Sequence, residues 1–247
     1  MTRFKAGDEV FAFPGASFGS HAEYRTISEV GLIALKPNSL SFDEAAALSF
    51  GGTTALSFLR DKSGIKCGDK VLIVGASGSV GTAAVQIAKH FGADVTGVCS
   101  TTNLDLVRSV GADRVIDYTQ ADFALQRETY DIILDTTGTT SFARCEHALK
   151  LGGRLLLVLG SFAQTLGLER PSKASGKKVI AGVASAKAED MNYLAELART
   201  GDFRPVIDRS YLFECAAAAH AYVDTGRKKG NVVLTLHHLH QAARAAA

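Results

Sequence analysis

From Lys70 onward, short apolar runs alternate with stretches in which apolar residues return every three or four positions. The run Val71, Leu72, Ile73, Val74 has no polar face, which predicts a strand covered on both sides in a parallel sheet. After it, Val80, Ala84, Ile87, Ala88 and Phe91 recur at helical spacing as far as Gly92, a suitable C-terminal cap. The same rhythm predicts a second strand over Asp94–Cys99, then a helix with Asn103 at its cap that Gly111 ends. A third strand is expected over Arg114–Tyr118 and a fourth over Tyr130–Thr136. A helix from about Thr140 to Leu149 leads through Gly152 and Gly153 to a fifth strand, Arg154–Leu159. Lys178–Val183 makes the sixth, followed by a helix over Lys187–Thr200. Strands joined by crossover helices define an α/β fold, a six-stranded doubly wound parallel (Rossmann) sheet.

The flanks follow another pattern. Short alternating β-like runs occupy residues 1–36, and residues 205–236 carry a helix near Glu214–Thr225 and a closing strand, Asn231–Leu236. These are too few strands for a self-sufficient barrel or sandwich. The expected division is a β-rich lobe over residues 1–42, the sheet domain over residues 43–204, and a return to the lobe over residues 205–247.

The connection after the first strand carries the chemistry. Gly75, Gly78 and Gly81 remove side chains where the backbone turns, where a pyrophosphate approaches and where a helix packs on the strand. The spacing departs from GxGxxG, with Ala76 in place of the first glycine. Strand, turn and helix still occur in the required order, and a helix N-terminus with unpaired amides stabilises an anion. The backbone of Ser77, Ser79 and Val80 completes this cradle.

Composition narrows the partners. A formal charge of +2 without basic blocks does not point to nucleic acid. The chain has no apolar stretch of membrane-spanning length and no signal peptide, so the expectation is a cytoplasmic enzyme. Cys67, Cys99, Cys145 and Cys215 form no CxxC pair, and His237, His238 and His240 read as a solvated tail, so no metal is expected. Around the end of the second strand the chain reads Cys99, Ser100, Thr101, Thr102, without the acid that favours NAD by bonding the ribose 2′-hydroxyl. NADPH is therefore expected over NADH.

The strings GDEVFAF, GSHAEYRTI, LSFDEAAALSFGGTTAL, GDKVLIVGASGSVGTAAVQIAKHFGADVTGVCST, GADRVIDY, DIILDTTG, LKLGGRLLLVLG and KKGNVVLTL run in order from residue 7 to residue 236. Together they resemble the medium-chain dehydrogenase/reductases, and within them the zinc-independent quinone oxidoreductase-like branch. The resemblance implies that the flanks belong to a GroES-like catalytic lobe, entered here about midway, at GDEVFAF. It implies that Ser100, Thr101 and Tyr118 line a pocket for the adenosine 2′-phosphate, where many relatives have Arg or Lys and this chain has Thr102 and Asn103. It places Thr54 near the nicotinamide, with a helix N-cap or turn as the alternative, and Gly160, Ser161, Lys229 and Asn231 in loops over the same half.

The implied activity is NADPH-dependent, zinc-independent hydride transfer to a quinone or α,β-unsaturated carbonyl. The alternatives are alcohol dehydrogenase-like chemistry and non-catalytic NADPH binding. No catalytic acid or nucleophile stands out; Asp135 and His21 are conceivable proton relays, with structural roles as the alternative. The apolar run Val179–Val183 at the sheet edge suggests a homodimer, an arrangement the resemblance also implies.

Overall fold

A computed structural model describes residues 3–160 and 175–236. Strands β1 (Val10–Ala12) and β2 (Ile33–Leu35) form an antiparallel pair. Helix α1 (Phe42–Leu56) follows, entered through a capping box in which Ser41 and Glu44 satisfy each other's backbone amides. It runs on through a π-helical stretch, Ser57–Lys62. Next come β3 (Lys70–Val74), α2 (Ser79–His90), β4 (Asp94–Cys99), α3 (Leu104–Ser109), β5 (Arg114–Asp117), β6 (Tyr130–Asp135), α4 (Phe142–Cys145), β7 (Leu149–Leu157) and β8 (Lys178–Ala181). A helix Ala188–Thr200, strand β9 (Ile207–Leu212), a helix Ala216–Asp224 and strand β10 (Asn231–Thr235) complete the order.

Strands β3 to β8 form one parallel sheet in the order β5-β4-β3-β6-β7-β8, as the alternating pattern predicts. The order reverses beside β3, which puts the turn after that strand at the switch point where such sheets bind ligands. The apolar run of β3 has no polar face because both of its faces are covered. Val71 and Ile73 pack with Leu48, Leu56, Ile87 and Leu194, whereas Leu72 and Val74 pack with Ile133, Phe142 and Leu155.

Three expectations need correction. The helix expected over Thr140–Leu149 is a single turn, Phe142–Cys145, because the chain rejoins the sheet early: the Ala148 carbonyl accepts from the amides of Thr129 and Tyr130. The fifth strand accordingly begins at Leu149, and its register against β6 shifts between Tyr130 and Ile132. Asn103 occupies the N-cap position of α3, but its side chain accepts no cap bond; its side-chain amide donates to Ser77 and Ser100 instead. At the chain ends, where no expectation is overturned, β1 pairs with β2 and β9 with β10 in two two-stranded sheets among the described residues. Asp43 on α1 ties β9 and β10 to that helix by accepting from Ser210 and Thr235, and Ser49 reaches the Ala12 carbonyl of β1.

The four cysteines divide by exposure, with Cys67 and Cys215 on the surface and Cys99 and Cys145 buried. Burial, with the Asp117 carboxylate adding to it, pushes the Cys99 thiol up to about 11. Burial likewise pushes Cys145 up to about 11, against a hydrogen bond from Thr140. Only the thiolate attacks an alkylating reagent. Iodoacetamide at pH 8 should therefore modify Cys67 and Cys215 in the native protein and spare Cys99 and Cys145 until denaturant is added. Mass spectrometry of tryptic peptides checks this, and native labelling of Cys145 would contradict the buried placement.

Candidate dinucleotide-binding site

The turn after β3 is built by backbone geometry. Gly75 holds a left-handed φ of +79°, and the amides of Gly75 and Ala76 both donate to the Val98 carbonyl at 3.1 and 3.0 Å. A Cβ at Gly75 would collide with Thr136 and Thr137, and one at Gly81 would collide with the Gly75 carbonyl, so α2 sits directly on the turn. Gly78 differs. Its φ of −81° is open to any residue, and an added Cβ would meet only the Gly75 carbonyl, at 3.6 Å. The fold thus leaves free space in front of Gly78. As the N-cap of α2 it makes no side-chain cap bond, so the first amides of the helix, from Ser79 through Gly81, have no intrahelical acceptor. Open space facing unpaired amides at the positive end of a helix dipole fits a phosphate group.

The C-terminal return of the chain docks on this turn. The Gly230 amide donates to the Ser77 carbonyl at 2.8 Å, and Gly78 and Gly230 form a parallel β-bridge. Gly230 is required there, since its φ is +62° and a Cβ would run into Val206. Ser79 Oγ donates to Asn231 Oδ1 at 2.5 Å, while the Asn231 side-chain amide donates to the Val206 carbonyl. Asn231, expected in a loop over the nicotinamide half, is thus bonded to the first residue of α2 beside the glycine turn. The side chain of Lys229 is exposed, and only its backbone amide is engaged, with Asp208. It is Lys228 that folds inward, its ammonium 2.8 Å from the Gly230 carbonyl and its pKa lowered by burial.

At the outer end of β4, Ser100 and Asn103 extend this network. The Asn103 side-chain amide donates to Ser77 Oγ at 3.1 Å and Ser100 Oγ at 3.2 Å, joining the glycine turn to the loop after β4. Its Oδ1 is buried without a partner among the described residues. Thr101 points to the neighbouring strand, its hydroxyl donating to Asp117 Oδ2 at 2.5 Å. Tyr118 is held at this rim by its amide, which donates to the Cys99 carbonyl, and its side chain is exposed.

The remaining expected residues lie along the C-terminal edge or outside it. Thr54 is buried in the last turn of α1, so it is neither an N-cap nor a turn residue. The paired glycines before it bring helices together: a Cβ at Gly51 would lie 2.7 Å from the Ser79 carbonyl. Asp135 is fully buried and accepts from the amides of Thr137, Gly138 and Thr140 and from the Thr137 hydroxyl. Those bonds make it the clamp of the loop beside Gly75, and burial removes it from contact with solvent. The Leu159 carbonyl, next to Gly160, would lie 3.1 Å from a Cβ at Gly138, which brings the end of β7 to the same loop. Ser161 lies outside the described residues, as do His237, His238 and His240. His21 is exposed and packs edge-on against His220, with ring centroids 5.2 Å apart. Among the described residues, no three His, Cys, Asp or Glu side chains converge as metal ligands, and no helix is long and apolar enough to cross a membrane.

Known proteins agree with this geometry. A family profile described as zinc-binding dehydrogenase matches residues 110–234. The 2-methylene-furan-3-one reductase of Solanum lycopersicum is 35% identical over 241 residues, which cover 93% of this chain and 58% of that protein. The NADPH-dependent alkenal/one oxidoreductase of Arabidopsis thaliana chloroplasts is 31% identical over 244 residues, again 93% of this chain and 58% of that protein. The solved quinone oxidoreductase from Coxiella burnetii superposes with a TM-score of 0.74 at 29% identity, over 83% of this chain and 64% of that one. The chain thus spans about three-fifths of the length of these relatives. With its glycine turn at the switch point of a six-stranded parallel sheet and these relationships, the chain belongs to the medium-chain dehydrogenase/reductases, in their quinone oxidoreductase-like group.

Proposed function

We propose that the chain is part of, or constitutes, an NADPH-dependent and zinc-independent reductase of quinones or α,β-unsaturated carbonyls. The observation that carries this reading is the cradle at Gly78, where a Cβ has room, the first α2 amides are free, and Gly230 closes the far side. The cofactor, when bound, supplies a hydride from its dihydronicotinamide to an electron-poor carbon. The Ser79, Val80 and Gly81 amides hold its pyrophosphate, Asn231 fixes the Ser79 hydroxyl beside them, and Ser100 with Asn103 borders the adenosine ribose. Tyr118 supports the NADPH reading as a rim residue, and Thr54 and Gly160 border the end where substrate approaches. The names of the plant relatives and of the Coxiella protein point to enone, alkenal and quinone substrates.

Steady-state loss of NADPH absorbance with a panel of enals, enones and benzoquinones tests the activity. Turnover with at least one conjugated acceptor, unchanged after dialysis against a chelator, is expected. Turnover only with saturated aldehydes, or its loss on chelation, would favour the alcohol dehydrogenase-like reading.

The edge strand β8 supports a homodimer. Among the described residues it pairs only with β7, and Val183 just beyond it is 90% exposed. Two-fold pairing of this edge would satisfy its open backbone groups. Sedimentation of the wild type should give a dimer that Ile180→Pro weakens by removing a ladder donor; a wild-type monomer would refute edge pairing.

A further inference from the structure

The second strand of a dinucleotide-binding sheet ordinarily decides between the two nicotinamide cofactors, because its end faces the adenosine ribose. In this chain that end carries no acid, yet the fold brings one there from the next strand. Asp117 ends β5 in register with Cys99, the last residue of β4. Its Oδ2 accepts from Thr101 at 2.5 Å, and its Oδ1 accepts from the Thr119 amide at 2.9 Å and the Thr119 hydroxyl at 2.7 Å. These bonds lower the carboxyl from its ordinary value, the Thr101 contact contributing most. The charge is therefore present at neutral pH, fixed beside Ser100 and Tyr118.

Nothing of opposite sign offsets it locally among the described residues. Arg108, on α3, is paired with Asp105 at 3.0 Å, and Arg114, at the start of β5, is paired with Asp94 at 2.6 Å. Thr102 and Asn103 carry no charge, and the Thr101 hydroxyl proton is spent on Asp117 rather than left for a ligand.

We propose that Asp117 determines cofactor selectivity in this chain, its carboxylate opposing a ribose 2′-phosphate so that the preference for NADPH over NADH is narrow. The proposal rests on the cofactor reading given above, since it places the ribose beside Ser100. The pyrophosphate contacts are common to both cofactors, so the ratio of their affinities isolates the 2′-phosphate. A carboxylate lying about 6 Å from a phosphate in a solvated rim would change that ratio about three- to tenfold.

Calorimetric dissociation constants for NADPH, NADH, 2′,5′-ADP and 5′-AMP, on wild type and Asp117→Asn, test this. The wild type should favour NADPH by no more than about tenfold. Asp117→Asn keeps the shape and the Thr119 contact, and should tighten NADPH and 2′,5′-ADP about three- to tenfold while leaving NADH and 5′-AMP within twofold. A second arm needs no variant: raising ionic strength screens Asp117, so the wild-type NADPH-to-NADH affinity ratio should rise with salt. An unchanged ratio in Asp117→Asn, a ratio that falls with salt, or a wild-type preference above about a hundredfold overturns the proposal. A chain that binds none of the four ligands contradicts the cofactor reading itself, and the selectivity proposal with it, whereas binding of 5′-AMP and NADH without a charge effect contradicts the proposal alone.

Discussion

Gly81→Ala should lower the thermal midpoint by about 6–12 °C, the shift that about 3 kcal/mol produces in a chain of this size. The added Cβ would press into the Gly75 carbonyl and the backbone of Ala76, and neither can yield by rotating a side chain. Relief requires α2 to lift from β3, which opens the packing of Ile73 with Ile87. Scanning calorimetry measures the shift; a midpoint within 2 °C of wild type, on a scale where about 1 kcal/mol moves it 2–4 °C, would show that α2 does not seat on the turn in this way.

Gly78→Val should separate folding from binding at the same turn. Its Cβ meets only the Gly75 carbonyl at an ordinary 3.6 Å, and its φ of −81° suits valine, so the protein folds with about 1 kcal/mol lost for valine at an N-cap. The branched side chain fills the space a pyrophosphate needs in front of the Ser79 and Val80 amides. NADPH affinity should fall at least tenfold, about 1.4 kcal/mol. Titration calorimetry on the folded variant measures it, and wild-type affinity would mean the phosphates lie elsewhere.

Much of the sheet is legible in the chain because burial on both faces leaves continuous apolar runs between glycines. The Asp94–Cys99 strand matches its expected bounds, and β3 and β8 differ by only one or two residues at their ends. Helix α1 is harder to see, since residues from Ala45 to Leu56 are buried nearly all round and show no polar face, although Ser41 and Glu44 carry the S-x-x-E cap signature. The expected helix over Thr140–Leu149 fails at its end because Ala148 and Leu149 are apolar through burial in the sheet, not through helical periodicity.

The site follows the same division. The glycines mark the turn after β3 because only their lack of a side chain serves its geometry, and that requirement is local. Its closure by Gly230 joins residues more than 150 positions apart, and the approach of Asp117 to Thr101 depends on β4 and β5 being neighbours. Neither can be read from spacing, so the sequence points to Ser100 and Thr101 and passes over Asp117.

The proposed site for the cofactor phosphates is the set of amides that opens α2. Its most direct test is an NMR titration of the ¹⁵N-labelled chain with NADPH, following the assigned amides of Ser77 through Gly81 and of Gly230. Saturable shifts are expected at Ser79, Val80 and Gly81, with Gly230 moving in step because its amide bonds Ser77. Saturation by NADPH with those resonances unmoved would contradict it.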